Sequence, residues 1–146
     1  MTAVHVALGV AVVLTNGLAG ALGVYAWWHG GAARGFWPLL RLGQALVAIV
    51  AIQGLVLQLQ GHDLPELHLV YGLVPLGVAF IAEQLRIVSA QTVLDQRGLE
   101  GAEAVRALPD KQQQAVVRAI VRREIGVMAA SALVVCLLGV RAGGWL

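Results

Sequence analysis

Charge is what this sequence has least of. Asp, Glu, Lys and Arg together make up 12% of its 146 residues, about half the share of an ordinary soluble domain. So few charged side chains cannot cover a globule of this size with solvated surface. The apolar 59% therefore has to face something other than water. Cysteine is nearly absent too. The single thiol, Cys136, lies inside an apolar run, which excludes an intramolecular disulfide and a cysteine-based zinc site. Aromatic residues reach only 5%, so the hydrophobicity comes from Leu, Val, Ala, Ile and Gly, the palette of membrane helices. No Ser/His/Asp arrangement, Walker loop, dinucleotide fingerprint or zinc-peptidase helix is present. The Gly17–Gly23 stretch lies within an apolar run and cannot cradle a phosphate. Nothing here points to an enzyme.

What is present is apolar length. The mean hydropathy is +0.80, and four stretches approach or exceed the roughly 20 residues that a spanning helix needs. They cover about 3–28, 36–60, 64–94 and 115–141. Backbone that crosses lipid must satisfy its own hydrogen bonds, so these runs are expected to be helices. The predicted fold is all-α, a single integral membrane four-helix bundle with a polar, partly helical segment at about 89–124 between its third and fourth helices. The first run is too long for a signal peptide and has no basic residue before it, so it is expected to remain in the mature protein.

Local signals mark the ends of the runs. Trp27, Trp28 and Trp37 flank the first connection, where indoles favour the headgroup region. Gly30, Gly31 and Gly35 break the chain there, and Pro38 suits a first helical turn. Asp63-Leu64-Pro65-Glu66 reads as a capping box opening the third helix. Gly98 is placed as its C-cap. Pro109 is placed to open a further helix, with Val116, Val117, Ile120 and Val121 on one face. That helix either lies on the membrane surface or continues into the fourth span. Pro75 is expected to kink the third span.

The net charge of +2 does not indicate nucleic acid, because nine of the ten Lys and Arg residues gather at two connections, with Arg141 alone near the end of the chain. Arg34 and Arg41 flank the first connection. Arg86, Arg97, Arg106, Lys111, Arg118, Arg122 and Arg123 follow the third span, and the second connection has none. The positive-inside rule then puts the first and third connections in the cytoplasm. Both termini and the second connection lie outside, in a multi-pass protein of the cell membrane.

That topology gathers the candidate residues. His5, His62 and His68 fall at the outer face with Asp63 and Glu66. His5 and His68 begin parallel helices and share a depth, so two imidazoles could ligate haem b across the bundle. His68, Tyr71, Gly72 and Pro75 share a helix face, where the glycine leaves room for a flat macrocycle. His29 has no such partner. A divalent metal held by His5, His62, His68, Asp63 and Glu66 is the alternative use of the same residues. Glu83 is the one carboxylate within an apolar stretch and a transport candidate, although Arg86 three residues on can pair with it.

Packing expectations concern small and polar residues. Gly17, Gly20 and Gly23, with Thr15 and Ala19, together with Gly126 and Ala130, would permit close helix approach. Asn16, Gln44 and Gln53 are expected to bond between helices, the two glutamines at different sites. The expected function is that of a small non-enzymatic accessory or assembly subunit, acting on other membrane subunits or further copies of itself. A b-type haem electron-transfer protein is the second reading, and a small transporter or channel the third.

Overall fold

A computed structural model describes residues 3–30, 33–61 and 66–145. The chain forms α1 (Ala3–His29), α2 (Phe36–Leu59), α3 (Glu66–Gln96), α4 (Gly101–Arg106) and α5 (Asp110–Ala142). No strand occurs among the described residues. The fold is an all-α bundle of four long helices, α1, α2, α3 and α5, each long and apolar enough to cross a membrane. Large apolar side chains such as Ile52, Leu59 and Phe80 stay more than 60% exposed, as lipid-facing positions would.

The ends of these helices follow local chemistry. After α3, the Leu99 amide donates to the Leu94 carbonyl and the Gly98 amide to Asp95, with Gly98 at φ +64. This is a Schellman closure, and it needs the left-handed conformation that glycine adopts without strain. Pro109 precedes α5, and its carbonyl accepts from the Gln112 and Gln113 amides. α5 then runs unbroken from Asp110, so the segment that could have lain on the membrane surface is a continuation of the last span. Pro109 opens the helix as its placement in the sequence suggested, so the last span begins about five residues before the expected 115, and the short α4 is an addition to the expected elements. The proposed capping box falls mostly on residues 62–65, outside the described residues. α3 stays helical through Pro75.

α5 packs along both α1 and α3, and α2 packs along α1 and more sparsely along α3. α1 and α3 therefore occupy opposite corners of the bundle. α1 runs antiparallel to α2 and α5, as matched pairs along the helices show: Gly43 faces Asn16, Gly23 faces Phe36, and Gly20 faces Leu133. The glycine stripe of α1 does bring backbones together. A Cβ at Gly20 would stand 2.5 Å from Leu133 Cδ2, and one at Gly23 would stand 2.6 Å from Ala129 Cβ. On α5, however, Ala130 is exposed and Ala129 is the residue that turns inward. Asn16 also differs from expectation. Its amide donates to the Val12 carbonyl of its own helix at 2.9 Å, while its side chain packs on Gly43.

Packing is uneven along the bundle axis. The main core, with Ala19, Phe36, Leu40, Met128, Ala129 and Ala132, fills the half nearer the arginine-rich end. The other half holds a smaller cluster of Val12, Val47 and Val135. A cavity opens on that side.

Candidate functional site

The cavity has a volume of about 220 Å³ and is lined by all four long helices. Each contributes a glycine: Gly9, Gly54, Gly72 and Gly139. At Gly9 and Gly72 an added Cβ would meet no atom within 4 Å, so absent side chains keep the space open. Gly9 follows His5 by four residues and Gly72 follows His68 by four. A helix stacks positions four apart on one face, so each histidine has an open glycine one turn deeper.

His5 and His68 meet at the end of this cavity, with ring centroids 5.8 Å apart and planes inclined at 55°. They come from opposite corners of the bundle, as the shared depth of two parallel helices predicts. Each ring is tied to an oxygen through Nδ1. His5 Nδ1 lies 3.3 Å from Gln53 Oε1 on α2, and His68 Nδ1 lies 3.2 Å from the Ala142 carbonyl at the end of α5. The Ala142 carbonyl can only accept, so Nδ1 of His68 is the donor and its lone pair belongs to Nε2. Such outer hydrogen bonds fix ring orientation and raise the basicity of the ligating nitrogen in metal sites. His5 is buried, at 8% exposure. Tyr71 and Pro75 line the same cavity, and the Arg141 guanidinium lies over the Tyr71 ring at 5.6 Å.

The wider metal set is only partly visible. His62, Asp63 and the side chain of Glu66 lie outside the described residues. Among the described residues no group of three or more His, Cys, Asp or Glu gathers into a metal site. His29 sits at the opposite end, stacked on Tyr25 at 4.2 Å and bonded to its carbonyl.

Glu83 belongs to a separate polar cluster near the arginine-rich end. Arg86 Nε donates to its Oε2 at 3.0 Å, the i,i+3 pair read from sequence. Gln44 Nε2 of α2 donates to Oε1 at 2.9 Å, and Arg41 of α2 closes an ion pair with the same carboxylate. Glu83 thus clamps α2 to α3. Gln44 and Gln53 serve different sites, Glu83 on α3 and His5 on α1, as their half-turn difference in phase on α2 requires. Removing the carboxylate takes the shared acceptor from Arg86 and the Gln44 amide, while Arg41 keeps its hydrogen bond to Gln44 Oε1 at 2.7 Å. Hydrogen bonds to charged groups contribute about 1.5–3 kcal/mol, and exposure reduces that. Glu83→Ala is expected to cost about 1–2 kcal/mol, read as a lower unfolding midpoint in detergent. In an Arg41→Ala background the same change should cost less.

Compared with protein-family models, with curated proteins and with solved structures, the chain matches none.

Proposed function

We propose that this chain is a membrane-spanning b-type haem protein in electron transfer, with His5 and His68 as the axial ligands. One observation carries the reading: two imidazoles from opposite corners of the bundle face each other, each anchored through Nδ1 to an oxygen. A bare divalent ion wants about four protein ligands, and the described residues bring two together here. Haem iron brings four nitrogens with its macrocycle, so two histidines complete it. Haem, when bound, supplies a one-electron couple. The protein's part is to hold it, orient it and keep water away with an apolar wall.

Pockets for ligands of drug size run about 300–1,000 Å³, so a cavity of 220 Å³ must widen to take a macrocycle. α2 and α3 are the sparsest neighbours in the ring of helices, and parting them at the histidine end costs the least packing. In this reading the arginine-rich end lies in the cytoplasm and the histidines and both termini face outward, following the positive-inside rule. The bilayer and other membrane subunits, or further copies of the chain, are the partners. An accessory subunit acting through lipid-facing helices draws on exposed apolar faces that any four-span bundle displays. Transport through Glu83 draws on a carboxylate already held by three side chains.

The test is an absorption spectrum of protein purified from cells supplied with haem. The expected result is a Soret band and a sharp α band on reduction, near one haem per chain. Both His5→Ala and His68→Ala should lose the six-coordinate spectrum, and His29→Ala should keep it. A wild-type protein with no Soret band would overturn the proposal.

A further inference from the structure

At the arginine-rich end α1 stops at His29 and α2 starts at Phe36, while α3 and α5 continue past them. A step is left between the end of α1 and the flank of α5. A groove of about 480 Å³ fills that step. Its floor and walls include Ala26 and Ile125, both buried, and Val117 and Val121, both exposed. Arg118 and Arg122 line it as well. Valines 117 and 121 stack one turn apart on α5, and arginines 118 and 122 stack beside them.

The sequence pattern put four apolar residues of this stretch on a single face. Instead, Val116 is buried, at 1% exposure, while Val117 and Val121 turn outward into the groove. The result is an apolar strip with a cationic edge. No carboxylate lines the groove. Among the described residues, the salt bridges all involve Glu83, so neither arginine is neutralised by an acid. The Arg122 guanidinium lies over the Trp27 ring at 5.5 Å. That indole belongs to a pair, Trp27 and Trp28, of the kind that sits at headgroup level.

We propose that this groove binds an anionic phospholipid, its phosphate between Arg118 and Arg122 and its upper acyl chain against Val117 and Val121. A pocket of two cations with no acid, set at the membrane–water boundary, suits a negative headgroup. The adjoining apolar strip suits an acyl chain and offers nothing to a free phosphate. The groove lies at the far end of the bundle from the histidine cavity, so this site stands independently of haem binding.

The experiment uses native mass spectrometry of the full chain released from detergent micelles doped with phosphatidylglycerol or phosphatidylcholine. Phosphatidylglycerol is expected to stay bound in preference. In the Arg118→Gln/Arg122→Gln double variant its affinity should fall about 30-fold, since each basic residue near the surface is worth about 1 kcal/mol. An Arg97→Gln/Arg106→Gln variant removes the same charge outside the groove and should keep its lipid. Added glycerol 3-phosphate should not displace the lipid. Equal retention of the two lipids by wild-type protein would overturn the proposal, and so would an equal loss in the control variant. Displacement by glycerol 3-phosphate would also overturn it, by assigning the groove to a soluble phosphate.

Discussion

Gly72→Leu is expected to weaken the proposed haem binding by up to about 100-fold while leaving the bundle at least as stable as before. A Cβ at position 72 meets no atom within 4 Å, so the new side chain enters the cavity without striking the fold. Leucine is also a better helix former than glycine by somewhat under about 1 kcal/mol. The thermal midpoint in detergent should therefore hold or rise. The ligand, by contrast, would find its space occupied one turn from His68. Overlap of this kind costs about 1–3 kcal/mol, and the upper end of that range is about a 100-fold loss of affinity. Gly9→Leu should repeat the result from the opposite corner. Haem titration of the two variants against wild type reads the effect. Unchanged affinity in both would show that the cavity is not where the ligand sits.

Gly23→Leu is expected to do the opposite and prevent the bundle from assembling. Here the added Cβ would stand 2.6 Å from Ala129 Cβ and 2.6 Å from Phe36 Cε2. Ala129 and Phe36 are each only 1% exposed, in the main core. Alanine's Cβ cannot rotate away, and the phenyl ring has nowhere to go. Close backbone approach is what holds membrane helices together, because lipid is as apolar as leucine and burial alone gives little. Even Gly23→Ala should cost about 1–3 kcal/mol of overlap strain. Gly77→Ala serves as control, since its Cβ would meet nothing within 4 Å. Thermal unfolding monitored by size-exclusion chromatography separates the three. A Gly23→Leu protein as stable as the control would contradict the packing described here.

These two glycines show what could be read from sequence and what could not. Apolar length alone sets the number of spans, because an unsatisfied backbone has no other way through lipid. The meeting of His5 and His68 was legible as well, since two crossings, α1 and α2, return the chain to the face it started from, which makes α3 parallel to α1 and puts their first residues at one depth. The rotation of each helix about its axis was not legible. In water a polar face marks the outside of a helix. In an all-apolar helix that mark is missing, and a spacing of small residues fits more than one phase. Hence Ala130 was expected at the interface that Ala129 occupies. The same blindness hid the company Glu83 keeps. A helix pattern reveals Arg86 three residues along, whereas Arg41 and Gln44 come from α2 through a rotation that no periodicity encodes. The acceptors of the two histidines, Gln53 and Ala142, escaped for the same reason. Residue type still carried a signal at Gln53, because an amide within an apolar span needs a partner.

Electron paramagnetic resonance of the ferric protein tests the pairing of His5 with His68 most directly. Two imidazole ligands should produce a low-spin signal that becomes high-spin, with one axial ligand left, when either histidine is replaced by alanine. A high-spin signal from the wild-type protein, or a low-spin signal that survives in His5→Ala, would mean that the two rings do not share one iron.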